Sequence, residues 1–100
     1  MTAQLKFGVL ALLEAKSGKE DELGAFLEGG RELAAAEPGT VTWYAFRAGE
    51  TTFGIFDTFE TEAARDAHLA GQIPQALAQV APDLLADQPN IRTIEVVAVK

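Results

Sequence analysis

The stretch LKFGVLALLE, residues 5–14, constrains the fold more than any other part of the sequence. Side chains alternate between the two faces of an extended strand. One face then carries Leu5, Phe7, Val9, Ala11 and Leu13. The other face carries Gly8, Leu10 and Leu12. Because both faces are mostly apolar, the sequence predicts a strand that is buried on both sides.

A helix is predicted to follow this strand. Ser17 and Glu20 have the spacing of a capping box, which satisfies free amides at a helix start. Apolar and small residues then recur at helical spacing, at Leu23, Phe26, Leu27, Gly30, Leu33 and Ala34. Pro38-Gly39 ends the pattern. We interpret Gly29-Gly30 as a point where this helix packs closely on the sheet.

The second half of the chain alternates strand and helix signals again. TVTWYAFR, residues 40–47, and TTFGIFDTF, residues 51–59, are rich in β-branched and aromatic residues and predict an antiparallel hairpin. Thr61 is a candidate cap for a short helix over 62–69 that stops at Gly71. Pro74 suits the first turn of a further helix. Residues 91–99 predict the last strand.

The element order is therefore β-α-β-β-α-β, with the second helix broken near Gly71, in one domain over residues 1–100. This order predicts an α+β, ferredoxin-like fold, in which helices cover one face of a four-stranded antiparallel sheet. The other face would remain a large apolar surface, which is unusual on a monomer. We therefore expect a homodimer packed sheet to sheet.

Composition excludes several classes of function. The net charge of −7 argues against nucleic acid as a partner, because phosphate binding needs clustered basic residues. No apolar run is long enough to predict a membrane span. With one histidine and no cysteine, a zinc site of the usual kind cannot form, and neither can a disulfide. The lack of cysteine is compatible with a cytoplasmic location. No dinucleotide or phosphate-binding glycine motif is present.

Two polar residues in apolar surroundings are the main site candidates. Asp57 shares a predicted strand face with Phe53, Ile55 and Phe59, and a carboxylate there is costly unless it is paired. Arg47 and Arg92 are candidate partners; alternatively, Asp57 is solvated at the strand end. His68 either ties the short helix to a backbone carbonyl or faces a cavity as a proton acceptor or hydrogen-bond donor.

Aromatic residues on the second strand are candidate pocket walls. Trp43 and Tyr44 point to opposite faces, so one faces the helices and the other the partner subunit. Either could line a cavity and offer a hydrogen-bonding tip, or both could be ordinary packing residues.

Three stretches together resemble the antibiotic biosynthesis monooxygenase family, which consists of small dimeric α+β barrels. They are AKSGKEDELGAFL, AAAEPGTVTWYAFR and FGIFDTFETEAARDAHLAG. Asp57 falls where the family usually has glutamate, Phe59 where many members have tryptophan, and His68 matches a recurrent histidine.

The resemblance implies a homodimer with a pocket between sheet and helices in each protomer. It also implies oxidation of a small phenolic or quinol-type aromatic by molecular oxygen, with no metal or flavin cofactor. His68 and Asp57 would be catalytic, and Trp43, Tyr44, Arg47 and Phe59 would form the substrate pocket. The alternative is a non-catalytic dimeric barrel that binds a small hydrophobic ligand.

Overall fold

The computed structural model describes residues 5–100. Its elements are β1 (Phe7–Glu14), α1 (Glu20–Ala35), β2 (Thr40–Arg47), β3 (Thr52–Phe59), α2 (Glu62–Leu69), α3 (Gln72–Leu84) and β4 (Asn90–Glu95). The strands form one antiparallel sheet in the order β2-β3-β1-β4. The ferredoxin-like β-α-β-β-α-β prediction is confirmed, including the break between α2 and α3.

The core lies between the helices and one face of the sheet, which we call the helix-facing side. The strands contribute alternate residues to it, as the period of a strand requires. These buried residues are Val9, Ala11 and Leu13 on β1 and Phe53, Ile55 and Phe59 on β3. The helices contribute Leu23, Leu27 and Ala34 from α1 and Ile73, Leu77 and Leu84 from α3. None of the helices within residues 5–100 is long and apolar enough to cross a membrane.

The opposite face of the sheet is covered by no element of residues 5–100, and we call it the open face. Its large apolar side chains are Leu10, Leu12, Tyr44, Phe46, Phe56 and Ile94. Leu10 lies opposite Phe56 across one strand boundary and opposite Arg92 across the other, near the middle of this face. The prediction that β1 is apolar on both sides is therefore confirmed, but only the helix-facing side is buried within one chain.

The start of α1 differs from the prediction. Its N-cap is Lys19, which makes no side-chain capping hydrogen bond, so the predicted Ser17 capping box is wrong. The physical reason is the turn before the helix, where Gly18 takes a positive φ of 85° and Lys19 N–H donates to Lys16 O at 2.9 Å. Ser17 lies within that turn, two residues before the N-cap.

The predicted cap of α2 is confirmed. Thr61 is the N-cap, and its hydroxyl oxygen accepts a hydrogen bond from Ala64 N–H at 3.0 Å. This bond satisfies one of the amides that a helix start leaves free. Because α2 has only eight residues, this cap fixes where its single histidine lies relative to β3.

The last strand is shorter than predicted. β4 ends at Glu95, not at Val99, because its neighbour β1 begins at Phe7, which pairs with Glu95. One further backbone bond joins Val96 N–H to Lys6 O at 2.7 Å. Beyond it, Val97 is 93% exposed and Val99 is 60% exposed. A strand needs a neighbour to pair with, and residues 5–100 offer none to Val97 and Val99.

Candidate functional site

Asp57 lies in the interior of the protein rather than at a solvated strand end. It is on the helix-facing side of β3, between Ile55 and Phe59, and its exposed fraction is 0%. A carboxylate buried to this degree is rare in proteins unless a cation or several donors compensate for the lost water. The residues around Asp57 should therefore include such a partner.

The partner of Asp57 is His68. The imidazole Nε2 lies 2.9 Å from Asp57 Oδ2. The contact has the distance of an ion pair but not the alignment of a hydrogen bond, so both Asp57 oxygens lack an aligned donor. Neither candidate arginine is involved. Arg47 donates instead to Gly49 O at 3.0 Å, and Arg92 to Asn90 Oδ1 at 3.3 Å.

A second carboxylate, Glu37, binds the other side of the same imidazole. His68 Nδ1 lies 2.7 Å from Glu37 Oε1, and Thr40 Oγ1 donates to the same oxygen at 2.7 Å. Glu37 lies in the short connection between α1 and β2, and its side chain is 22% exposed. His68 therefore contacts two carboxylates and not a backbone carbonyl. We call Asp57, His68 and Glu37 the carboxylate–histidine cluster.

Glu37 was not among the residues predicted from the sequence. It is separated from His68 by 31 positions, and no motif spacing connects them. The only local signal is its place directly before Pro38-Gly39, at the predicted end of the first helix. A polar residue at such a junction is common, so the sequence alone does not single it out.

The cluster favours a protonated imidazole. Burial by itself would lower the pKa of His68, but the close contact with Asp57, the hydrogen bond with Glu37 and the charge of both carboxylates outweigh it and raise the pKa above its ordinary value. A neutral imidazole has only one N–H, whereas two carboxylates flank this ring. With the imidazole protonated, the three groups together carry one negative charge.

The ring of His68 is held from a third direction by Phe59. The two ring centroids are 5.2 Å apart and the planes are tilted by 43°. Phe59 is itself fully buried. The predicted pocket residue Phe59 thus fixes the orientation of the imidazole, which can then face both carboxylates at once.

The two aromatic residues of β2 divide between the faces of the sheet. Trp43 faces the helices, where its ring lies close to Gly30, while Tyr44 is on the open face, 58% exposed and stacked on Phe56. The prediction that Gly30 allows close packing is confirmed. Gly29 has no such role, because a Cβ there would meet no atom within 4 Å.

Trp43 and Asp57 are direct neighbours, whereas Arg47 is remote. Trp43 pairs with Asp57 in the register of β2 and β3, so the two side chains lie next to each other under the helices. Arg47 pairs with Phe53, four positions before Asp57 on β3, and its guanidinium lies 5.0 Å from the Phe53 ring centroid. The structure therefore brings Trp43, Asp57, Phe59 and His68 together and leaves Arg47 and Tyr44 outside.

Two cavities border this group. The histidine cavity, about 370 Å³, is lined by His68, Glu37, Thr40, Ala64, Ala67 and Leu33, among others. The tryptophan cavity, about 290 Å³, lies between α1, α3 and the sheet and is lined by Trp43, Gly30, Phe26, Ile55, Ile73 and Leu33. Leu33 belongs to both linings. Asp57 lines neither cavity. It lies next to Trp43, which lines the tryptophan cavity, and contacts His68, which lines the histidine cavity.

The cluster does not have the arrangement of a metal site. Each imidazole nitrogen is directed at one carboxylate, so the three side chains surround the ring rather than a common point. No group of three or more histidine and acidic side chains within residues 5–100 could hold a metal ion.

Comparison with known structures supports the fold along the whole chain. A protein of unknown function from Nitrosomonas europaea is 45% identical, with a TM-score of 0.95; the match covers 99% of this chain and 96% of that one. A protein from Caulobacter crescentus CB15, provisionally named an antibiotic biosynthesis monooxygenase, is 24% identical, with a TM-score of 0.75 and coverage of 96% and 93%. The second likeness is one of fold alone.

The sequence itself was compared with curated proteins and with protein families. No curated protein matches it. The family model described as antibiotic biosynthesis monooxygenase matches residues 6–79, which include β1 to α2, all three members of the carboxylate–histidine cluster and the first half of α3. The chain therefore belongs to the antibiotic biosynthesis monooxygenase family.

Proposed function

We propose that this protein is a cofactor-independent monooxygenase that oxidises a small phenolic or quinol-type aromatic with molecular oxygen. The observation that carries the proposal is the fully buried Asp57 carboxylate. It contacts His68, whose pKa is raised, and lies next to Trp43, which lines an apolar cavity. Family membership supports the reaction class. Fold alone would not, because one fold serves many functions.

The reaction asks little of the protein beyond binding and proton transfer. Deprotonation of the substrate hydroxyl produces an electron-rich anion that can reduce dioxygen directly. For a phenol with a free para position, one oxygen atom enters the ring to give a quinone and the other leaves as water. The substrate supplies all four electrons, so no external reductant is needed. The protein must orient the ring, accept the hydroxyl proton and exclude water.

The proposed roles follow from which side-chain atoms of the cluster already have a hydrogen-bond partner and which do not. Both nitrogens of His68 face carboxylates, so we assign it a positioning role: it holds the buried Asp57 carboxylate in place through the 2.9 Å contact. Asp57 is the proton acceptor, because its oxygens lack an aligned donor. Trp43 forms the wall against which the substrate ring packs.

Oxygen consumption tests this proposal. A panel of phenols and hydroquinones is supplied to the purified protein, and both oxygen uptake and incorporation of isotopically labelled oxygen into the product are measured. We expect uptake with label in the product for at least one compound, and a loss of about 10²-fold or more in His68→Ala and Asp57→Asn. Asp66 is an exposed carboxylate on α2, the helix that carries His68. Asp66→Asn is therefore the matched control and should keep full activity.

Two results would contradict the proposal. Uptake that produces hydrogen peroxide without labelled product would indicate an oxidase. Equal activity of the wild type and His68→Ala would remove the cluster from the mechanism.

We also propose that the protein is a homodimer in which the open faces of two sheets pack together. The support is the row of apolar side chains there and the exposed Val97 and Val99 beyond β4. Such a surface on a monomer is unusually apolar. Leu10→Glu, near the middle of this face, should give a folded monomer by light scattering, because the side chain is not in the helix-facing core. A dimer unchanged by Leu10→Glu would exclude this interface.

The second candidate is a non-catalytic module that binds a small hydrophobic ligand. Two observations favour it: both imidazole nitrogens are occupied by carboxylates, and the tryptophan cavity is lined largely by apolar side chains. Binding of panel compounds without any oxygen uptake would support this function over the enzyme.

A further inference from the structure

Three side chains within residues 5–100 have buried polar atoms without a hydrogen-bond partner: Arg65 on α2, and Trp43 and Asp57 on neighbouring strands of the sheet. In the strand pair these atoms are the indole Nε1 of Trp43 and the carboxylate oxygens of Asp57, of which Oδ2 has the ion-pair contact with His68 at 2.9 Å and Oδ1 has none. The indole Nε1 and the carboxylate are both closed to solvent. Buried polar groups in folded proteins nearly always have a partner, so two together need an explanation.

These two groups are neighbours and are chemically opposite. Trp43 and Asp57 pair directly across β2 and β3, which places their Cβ atoms about 5 Å apart. An indole N–H can only donate a hydrogen bond, and an ionised carboxylate can only accept one. They do not bond to each other. A group placed between them would satisfy both if it accepted one hydrogen bond and donated another.

A hydroxyl group has this property, while an ether or a carbonyl does not. An ether or carbonyl oxygen could accept from Trp43 but would leave Asp57 without a donor. An amine would be attracted by the carboxylate but, when protonated, could not accept from the indole. Of these four groups, only a hydroxyl satisfies both members of the pair.

We propose that Trp43 and Asp57 form a recognition site for a free hydroxyl group on an otherwise apolar ligand. Trp43 Nε1–H donates to the hydroxyl oxygen, and the hydroxyl donates to Asp57 Oδ1. The apolar body occupies the tryptophan cavity, where Gly30 leaves room and Phe26, Ile55 and Ile73 form the walls. The inference rests on the proposed function, since it names the group that the substrate presents to Asp57.

Binding requires the indole to move. Both polar atoms are closed in the unliganded chain, so the ring must shift to admit the hydroxyl. The indole already packs closely on Gly30, so the shift is towards the tryptophan cavity, which Trp43 lines. A ligand that uses this site must therefore change the environment of the indole N–H.

The chain contains a single tryptophan, so its indole N–H gives one resonance in a nitrogen–proton correlation spectrum. The probes are para-propylphenol and para-ethylanisole, which are isomers of equal size; only the phenol can donate. We expect para-propylphenol to shift the indole resonance and to bind about 5- to 150-fold more tightly than the ether, the range expected when a buried acceptor loses its donor. This comparison uses the wild-type protein and does not depend on a variant.

Two variants test whether Trp43 contributes to the binding of para-propylphenol. Trp43→Phe should weaken para-propylphenol binding, measured by calorimetry, about fivefold or more. Thr42→Val is the matched control: it removes a hydroxyl from the adjacent position of β2, on the open face, where Thr42 bonds Thr58 at 2.6 Å. It should leave binding unchanged. A Trp43→Phe protein that does not fold leaves the two-probe comparison decisive.

The results separate this inference from the proposed function. Equal affinity for the two probes, or binding without any shift of the indole resonance, would overturn the hydroxyl site. If oxygen uptake were then still observed, the substrate would occupy another place, such as the histidine cavity. Hydroxyl-selective binding without oxygen uptake would support the site while refuting the monooxygenase.

Discussion

Removing the imidazole of His68 should destabilise the protein more than loss of its packing would suggest. The Asp57 carboxylate is 0% exposed in the wild type, and His68→Ala removes the only cation in contact with it among the described residues. Removing one partner of a buried ion pair costs about 3–5 kcal/mol, because the remaining charge is left in a poorly polarisable interior. Helix propensity cannot account for such a loss, since alanine is the better helix former.

Most of the free energy of unfolding lost in His68→Ala is assigned to Asp57 rather than to Glu37. The Glu37 side chain is 22% exposed and keeps the hydroxyl of Thr40 as a partner when the imidazole is removed. Water and this hydroxyl can therefore compensate for the missing bond. Asp57 has neither. Neutralising Asp57 as well should consequently recover part of the stability lost in His68→Ala.

A double-mutant cycle measures this recovery. The free energy of unfolding in urea is determined at neutral pH for the wild type, His68→Ala, Asp57→Asn and the double variant, at one protein concentration because the proposed dimerisation would contribute to stability. We expect the double variant to be more stable than the sum of the single losses predicts, by about 1–3 kcal/mol. Strictly additive losses would refute the argument that a buried charge, and not packing, dominates the cost.

Three further predictions concern the surroundings of the cluster. The pKa of His68 is raised in the folded protein, so the stabilisation from its protonated form is fully present below its ordinary pKa of about 6.5 and is lost as pH rises through the folded value. The difference in unfolding free energy between the wild type and Glu37→Gln should therefore shrink as pH rises above neutral. A difference that grew with pH would contradict the direction of the shift. Gly29→Ala should raise the melting temperature, because alanine stabilises a helix by about 0.5–1 kcal/mol relative to glycine. Gly30→Ala should give no such gain, because its Cβ would lie 3.3 Å from the indole of Trp43. Equal gains in the two variants would argue against that contact. Thr61→Ala should cost about 1 kcal/mol in urea unfolding by removing the cap of α2, and no measurable loss would mean that packing alone fixes this helix.

The predictable part of the fold rests on signals that are local in the chain. The alternation in β1, the Thr61 cap and the helix break at Gly71 each involve residues only a few positions apart, and each is confirmed. The wrong predictions depend on neighbours instead. Ser17 fails as a cap because Gly18 turns the chain first, and β4 stops at Glu95 because its pairing with β1 ends at Phe7.

The site was predictable only in its two most unusual members. A carboxylate in an apolar strand and a lone histidine stand out by composition, so Asp57 and His68 were identified. The sequence left several partners open for Asp57: Arg47, Arg92, a substrate hydroxyl, or His68 itself, which Asp57 would orient. The structure decides for His68. Strand parity placed Trp43 and Tyr44 on opposite faces, but only packing of the helices decided that Trp43 lies beside Asp57.

The sequence by itself determined the order of strands and helices, the two-sided apolar character of β1 and the absence of residues for a cysteine-based or zinc-based site. Only the tertiary structure decided that Glu37 joins Asp57 and His68, because these residues come from a connection, a strand and a helix. The physical reason is that periodicity and capping act over a few residues. A buried charge is compensated by whatever groups folding brings within about 3 Å of it.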